Sequence, residues 1–507
     1  MSFKIKIEPQ GKILTSHGKE KLKKTLEDNG YFFPMNCGGT GTCSNCRVEF
    51  ISEPPPMKRI EQQMFGKDST YRMSCMHSVE QDCTISLPIT TEMVNMKTIS
   101  EMRSGGGASG YGFAIDLGTT TVALYLVDLK SGKIITQQSF INPQNALGGD
   151  VMSRLKTASE ENGLQELHEQ IITKMTEDIQ NIIKLNKLEI NDVKEVSIAG
   201  NSVMTHLFLG KNAAGLEHIP FLSDLQEQGW LSFDPAKLGL NIDCTCRLFP
   251  VLYGFIGGDT GAAIISCDLD HKKGITLLVD LGTNGEIVLS IDGELYVTSA
   301  AAGPAFDGMG MYSGMPALKG AIEGISNDGK LHIINSNESK GICGSGYISL
   351  ISYMLSNNII DYSGLIQANH DQSFWLPDKS TNTVRITQDD IRKYQLAKGA
   401  IAAGIQILCE ESEIDFSEIN EVILTGSFGN RVDAAAAIKT GLIPEFQKKI
   451  IRFVDNAAGR GAIQSLGATE IHDRMLKVQG NLKVINLGDH PKFQETFVQN
   501  MLFPYKD

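Results

Sequence analysis

The sequence has no apolar run approaching the roughly 18 residues that a membrane-crossing helix needs, so no bilayer span is expected. It also lacks any excess of positive charge. Its 507 residues carry 59 acids against 46 bases, a net charge of −13. An acidic surface disfavours nucleic acid and anionic membranes. The first residues, Met1-Ser2-Phe3-Lys4-Ile5-Lys6-Ile7, alternate like a strand and do not read as a secretory leader. Without a leader, the ten cysteines do not read as a disulfide framework. A cytoplasmic protein in a reducing compartment is expected. Hydrophobic content of 41% and charged content of 21% are globular values. The chain is too long for one core, and two to four domains are expected.

What is present is a group of thiols near the start: Cys37-Gly-Gly-Thr-Gly-Thr-Cys43-Ser-Asn-Cys46, with Cys75 and Cys83 further on. Three thiolates on a glycine-rich loop plus a distant fourth form the ligand set of a [2Fe–2S] ferredoxin. The first gap holds five residues where plant-type spacing has four, which resembles adrenodoxin-like ferredoxins. The fourth ligand is Cys75 or Cys83. Cys75 lies in Tyr71-Arg-Met-Ser-Cys75-Met-His, similar to the Arg-Leu-x-Cys-Gln run of ferredoxins. Cys83 falls in register with Ile85 and Leu87 on one strand face and reads as core. Cys37, Cys43, Cys46 and Cys75 are therefore the expected cluster ligands. A zinc site is disfavoured, because structural zinc usually takes two Cys-x2–4-Cys hooks and one is present. Cys244, Cys246, Cys267, Cys343 and Cys409 share no ligand spacing and read as buried thiols.

Residues 1–92 read as one unit. Strands are expected near 3–7 and 12–14, a helix over 18–28 with Leu22 and Leu26 on one face, then the cysteine loop and a closing strand at 82–88. That order suits a β-grasp ferredoxin. Residues 93–112, with the run Arg103-Ser-Gly-Gly-Gly-Ala-Ser-Gly110, read as a flexible linker. The remainder contains an internal repeat. Phe113-Ala-Ile-Asp116-Leu-Gly118-Thr119-Thr120-Thr121 is matched by Leu277-Leu-Val-Asp280-Leu-Gly282-Thr283-Asn284-Gly285. Duplicated α/β subdomains are expected over 113–275 and 276–507, the second with a C-terminal tail. Helices are expected at 159–184, 202–209, 258–266, 388–410 and 432–440.

Each repeated element is a strand, a small-residue turn and a second strand, which suits a phosphate clamp. Small residues let backbone N–H groups approach a polyphosphate, and threonine hydroxyls add donors. Gly118, Thr119, Thr120 and Thr121 fill that role in one copy, and Gly282, Thr283 and Asn284 in the other. Asp116 and Asp280 at the strand ends can each hold Mg²⁺ through water. One such hairpin is common, whereas two copies point to a nucleotide gripped from both sides. A third glycine turn, Gly426-Ser427-Phe-Gly429, follows the strand starting at Glu421 and lets an adenosine ring lie against backbone.

Together these three elements resemble the superfamily of sugar kinases, actin and heat-shock chaperones. That resemblance implies two RNase H-like subdomains around an ATP cleft, so the fold class expected is α+β followed by α/β. It also implies that a residue in Phe255-Ile-Gly-Gly-Asp259-Thr260 orients the attacking water. Asp259 takes that role, against the alternative of a helix N-cap.

A more specific resemblance covers nearly the whole chain. A [2Fe–2S] domain fused to this ATPase is similar to the reductive activators of corrinoid-dependent methyltransferase systems. The runs carrying it are Asn142-Pro-Gln144, Gly149-Asp150-Val-Met-Ser-Arg154, Gly200-Asn201-Ser-Val-Met-Thr-His206, Ala301-Ala-Gly303-Pro304-Ala-Phe306-Asp-Gly308, Gly341-Ile-Cys343-Gly344-Ser-Gly346 and the tail from Asn486. Arg154 reads as a solvated helix charge, His206 as a packing or capping residue, and Gly303-Pro304 and Gly344-Ser-Gly346 as turns. The resemblance implies ATP-driven reduction of a Co(II) corrinoid to Co(I) on a partner protein of a methyltransferase or O-demethylase system. It implies an upstream electron donor as well, and leaves a homodimer open. Some members carry an extra domain between ferredoxin and ATPase, where this chain has only 93–112. The competing readings are an ATP-driven donor to a dehydratase, a nucleotide-gated redox-sensing binding protein, and a sugar kinase.

Overall fold

A computed structural model describes residues 2–8, 11–17, 20–27, 29, 41, 46–67, 69–87, 99, 109–240, 243–367, 373–376, 384–426, 432–445 and 450–504. Most of the expected linker, 93–112, lies outside the described residues.

The N-terminal unit is a five-stranded sheet. Its strands are β1 (Ser2–Glu8), β2 (Lys12–His17), β3 (Arg47–Phe50), β4 (Tyr71–Met73) and β5 (Cys83–Ser86), in the order β2-β1-β5-β3-β4. β1 pairs antiparallel with β2 and parallel with β5, as a β-grasp sheet does. Alternation puts Ile5, Ile7, Val48 and Ile85 on the buried face, where α1 (Leu22–Glu27) adds Leu22 and Leu26. Helix α2 (Arg59–Phe65) was not among the expected elements. Its Glu61 is fully buried and accepts from Met73 N at 2.7 Å and contacts His77 Nε2 at 2.8 Å. Burial works against a charge there, but the bonds from His77, Met73 N and Lys58 N prevail and hold its carboxyl below the usual range.

The next unit is a six-stranded sheet of β6 (Tyr111–Leu117), β7 (Thr121–Asp128), β8 (Lys133–Ile141), β9 (Val193–Gly200), β10 (Leu231–Ser232) and β11 (Thr245–Leu248), ordered β10-β11-β9-β6-β7-β8. Four helices accompany it: α3 (Val151–Ala158), α4 (Gly163–Leu185), α5 (Ser202–Leu209) and α6 (Gly258–Ser266). The expected helix at 159–184 starts later, at Gly163. Asn162 adopts a left-handed φ of 63° and separates it from α3.

The last unit begins with β12 (Ile275–Leu281), β13 (Gly285–Ile291) and β14 (Glu294–Ala300). Small sheets follow, made of β15 (Ala321–Ile325), β16 (Leu331–Ile333) and β17 (Gly341–Ile342), then β18 (Ser373–Trp375) and β19 (Arg385–Thr387). β20 (Glu421–Gly426), β21 (Ile450–Phe453) and β22 (Lys483–Val484) return to the main sheet, ordered β21-β20-β12-β13-β14-β22. Its helices are α7 (Gly344–Ser356), α8 (Gln388–Glu411), α9 (Ala434–Lys439), α10 (Ala457–Ser465), α11 (Thr469–Asn481) and α12 (Phe493–Met501). Gly344 and Gly346, read as turn residues, open α7. A Cβ at Gly346 would lie 2.1 Å from Ile322 O, so close packing explains the glycine.

The repeat is visible in the two sheets. β11-β9-β6-β7-β8 and β21-β20-β12-β13-β14 have the same order and the same parallel and antiparallel sense. Each sheet has an apolar core of its own, and a third core joins them through α6 and α10. The N-terminal unit touches both lobes. Lys23 Nζ donates to Ala146 O at 3.3 Å, and Arg47 Nη1 to Tyr312 O at 2.6 Å. No helix among the described residues is long and apolar enough to cross a membrane.

Candidate functional site

The two Asp-Leu-Gly-Thr turns face each other across a cleft. Equivalent strands deliver them: β6 ends at Asp116 and Leu117, and β12 at Asp280 and Leu281. The cleft is lined by Asp116, Gly118, Thr119, Thr120 and Thr121 from one hairpin, and by Asp280, Gly282, Thr283 and Asn284 from the other. Asp259 and Gly426 line it too. Ser427 and Gly429 lie outside the described residues. Asp259 is not the helix N-cap, a position held by Gly257. It sits in the first turn of α6, where its Oδ1 accepts from Thr260 N at 2.7 Å.

The first hairpin is held from behind. Asn142 Nδ2 donates to Gly118 O at 3.0 Å, Arg154 Nη2 to Thr119 O at 2.6 Å, and Asn142 N to Thr120 O at 2.9 Å. Arg154 is therefore no solvated charge. It is fully buried and also donates to Gly148 O at 2.9 Å and Gln144 Oε1 at 3.0 Å. Burial pushes its pKa down to about 9, which leaves it charged at neutral pH. His206 is buried on α5, with Nε2 2.9 Å from Ser223 Oγ.

Five lining residues had no role assigned from sequence: Asn201, Glu286, Asp307, Asn456 and Ala458. Asn201 caps α5 and donates to Thr119 Oγ1 at 2.9 Å. Asn201 and Asp307 lay inside family runs, so a signal existed. Glu286 stands six residues beyond Asp280, where the first copy has Val122, and the repeat concealed it. Burial, with Asp259, Asp280 and Asp307 nearby, pushes its carboxyl well above the usual range.

Five carboxyl groups and no basic side chain appear among the described residues lining the cleft. Such a lining repels a bare polyphosphate and suits one that arrives with a divalent cation. The N-terminal ends of α5, α6 and α10 all reach the cleft, through Asn201, Asp259 and Ala458, and helix N-termini favour anions. Gly426, at φ 128°, admits no side chain, since a Cβ would lie 2.4 Å from Leu281 O. The donor set and the tight backbone fit a nucleotide with Mg²⁺.

In the N-terminal unit, the β3–β4 register (Arg47 opposite Met73) brings Cys46 beside Cys75, and Ser74 N donates to Cys46 O at 2.9 Å. Both thiols are buried, and they lie close enough to interact. Cys37 and Cys43 lie outside the described residues. Cys83 is paired with Ile5 across β5 and β1 and packs in the core, and burial raises its thiol to about 11. A pair of thiols brought together in this way fits part of a metal-cluster ligand set. Cys244, Cys246, Cys267, Cys343 and Cys409 are free and buried.

Two family models match in tandem. Residues 111–272 match the RACo middle region, and residues 274–507 match the C-terminal ASKHA domain of RACo. Corrinoid activation enzyme RamQ of Eubacterium limosum is 34% identical over 418 residues, covering 78% of this chain and 70% of RamQ. The chain belongs to the RACo family of reductive activators. A second family relative, the [Co(II) methylated amine-specific corrinoid protein] reductase of Methanosarcina barkeri, is 26% identical over 382 residues, covering 68% of this chain and 67% of its own. The fold is that of a solved reductive activator for corrinoid, iron–sulfur protein, with a TM-score of 0.71 at 24% identity, covering 100% of this chain and 99% of that one. The RACo match agrees with the duplicated actin- and sugar-kinase-like architecture expected from the repeat.

Proposed function

We propose that this chain transfers one electron to the Co(II) of a corrinoid carried by a partner protein, giving Co(I), and that ATP use in the cleft drives the transfer. The partner belongs to a methyltransferase or O-demethylase system. One observation carries the reading: in a family of reductive activators, this chain joins a ferredoxin-type thiol pair, Cys46 and Cys75, to a two-hairpin cleft.

Cys37, Cys43, Cys46 and Cys75 would hold a [2Fe–2S] cluster, which supplies a single low-potential electron. Thr119, Thr120, Thr121 and Thr283 donate to the phosphates, with Gly118, Gly282 and Asn284 shaping the turns. Asp116 and Asp280 would hold Mg²⁺ through water. Gly426, with Ser427 and Gly429 assigned from sequence alone, would serve the adenosine, and Asp259 would orient the attacking water.

Plant-type clusters lie near about −400 mV, and a Co(II) corrinoid is harder still to reduce. Each ~59 mV is a factor of ten in a one-electron equilibrium, or about 1.4 kcal/mol. A deficit of a few hundred millivolts therefore calls for several kcal/mol. The nucleotide can supply it only through conformations that differ in affinity for the partner. Closure of the Asp116 and Asp280 hairpins would change the grip on the corrinoid protein, weaken an axial cobalt ligand and raise the cobalt potential. An upstream donor then restores the electron.

The test mixes reduced protein, ATP, Mg²⁺ and candidate Co(II) corrinoid proteins and follows the Co(I) absorption band. ATP-dependent growth of that band is expected. Formation of Co(I) at the same rate without ATP would overturn the coupling, and an iron-free polypeptide after anaerobic reconstitution would overturn the electron source.

A further inference from the structure

We propose that Asp307 competes with phosphate for the hydroxyl donors of the cleft, and that segment 307–312 transmits its displacement to the N-terminal unit. The proposal rests on the nucleotide reading above. Thr120 Oγ1 and Thr283 Oγ1, one from each hairpin, lie 2.9 Å apart. Both reach the same acceptor: Thr283 Oγ1 donates to Asp307 Oδ2 at 2.7 Å, and Thr120 Oγ1 does so at 3.3 Å. A carboxylate oxygen and a phosphate oxygen are alternative anionic acceptors for these hydroxyls. The cleft already holds Asp116, Asp259 and Asp280, so adding a polyphosphate beside a fourth aspartate is electrostatically costly. A phosphate that takes both threonines displaces the Asp307 carboxylate.

Five residues further on is Tyr312, at most about 18 Å away along the chain. The path is closely folded rather than slack. Gly308 turns at φ 70°, and a Cβ there would lie 2.2 Å from Met315 O. Gly310 O accepts from Lys393 Nζ at 2.6 Å, and Tyr312 N donates to Asp390 Oδ1 at 2.6 Å, both partners lying on α8. Tyr312 O accepts from Arg47 Nη1 at 2.6 Å, and the Arg47 guanidinium lies 5.5 Å from the Tyr312 ring centre. Arg47 directly follows Cys46. Another tie of the N-terminal unit among the described residues, Lys23 to Ala146 O, goes to the opposite lobe. Movement of 307–312 relative to residue 146 therefore changes how the N-terminal unit is seated. The segment makes one equilibrium of two contacts, Asp307 with the threonines and Arg47 with Tyr312, and coupling of this kind acts in both directions.

The experiment measures, by calorimetry on the full chain, binding of a non-hydrolysable ATP analogue with Mg²⁺ and, separately, of adenosine. The proteins are wild type, Asp307→Asn, Arg47→Ala and the double variant, with Asp307→Ser and Arg47→Lys as replacements for any that does not fold. Freed of its competitor, Asp307→Asn should bind the analogue about tenfold tighter, because a larger fraction is competent. Its affinity for adenosine, which brings no phosphate, should stay the same. Arg47→Ala should tighten the analogue about threefold, and the double variant should bind no tighter than Asp307→Asn. Unchanged or weaker analogue binding by Asp307→Asn, an equal gain for adenosine, or independent multiplication of the two effects would each overturn the latch while leaving the cleft reading intact. Wild type that binds no analogue at all would overturn the cleft reading, and the latch with it.

Discussion

Arg154 donates through Nη2 to the main-chain carbonyl of Thr119 at 2.6 Å, from a fully buried position. The cation lies behind the first hairpin rather than in the cleft. Gly148 O and Gln144 Oε1 share it, so one guanidinium fixes the loop and the turn to each other. A planar fork with several donors suits this task, and a lysine has neither the shape nor the reach.

Replacing Arg154 with Ala should therefore cost stability, because it strands several buried acceptors at once. Each such acceptor is worth about 1–3 kcal/mol, so a loss of at least about 3 kcal/mol is expected in urea unfolding. Arg154→Lys should fall between, with weakened nucleotide binding. A variant within about 1 kcal/mol of wild type would show that the hairpin does not depend on this residue.

Asp116→Asn and Asp280→Asn should keep the visible spectrum of the N-terminal unit and lose ATP-dependent Co(I) formation. The two carboxylates belong to other sheets, and the N-terminal core is separate from theirs. Normal activation by both variants would sink the proposed coupling of nucleotide to electron transfer.

Glu286 should behave oppositely. Burial, with Asp259, Asp280 and Asp307 around it, favours its protonated form. Glutamine has the shape of a protonated glutamate, so Glu286→Gln should change nucleotide affinity by less than about threefold at pH 7. A loss beyond about tenfold in titration calorimetry would mean that the group acts as a carboxylate.

Cys75→Ser should abolish or strongly shift the visible absorption of the reconstituted protein, and Cys83→Ser should leave it unchanged. Cys75 meets Cys46 through the β3–β4 register, while Cys83 is committed to the core beside Ile5. The opposite pattern of spectra would reassign the fourth ligand.

Much of this architecture was legible because its chemistry is local. A phosphate turn or a cysteine loop is a short motif, and Asp-Leu-Gly-Thr written twice declares both lobes. The helices expected at 202–209 and 258–266 match α5 and α6. The buried state of Arg154 was not legible, since its acceptors come from residues 119 to 148 and from Met204, and no spacing within 149–154 encodes them. Glu286 was hidden because its counterpart in the first copy is Val122. Gly344 and Gly346 read as turn residues by propensity, yet they open α7, where Gly346 packs too closely on Ile322 for a side chain.

Lys398 offers a test of pH dependence away from the cleft. It is buried on α8, its ammonium donates to Leu502 O, and it lies 5.4 Å from the Phe503 ring centre. Burial pushes it down to about 7, whereas an unfolded lysine titrates near about 10.4. Between those values the unfolded chain binds more protons than the folded one, so this residue makes stability rise with pH. Its contribution is complete above about 10.4 and is lost as pH falls through about 7. Between pH 7 and 9 the wild type should therefore gain on the order of 2 kcal/mol relative to Lys398→Met in denaturant unfolding. Parallel pH profiles for the two proteins would mean that Lys398 keeps its proton and that the chain end supplies enough polarity to hold a charge.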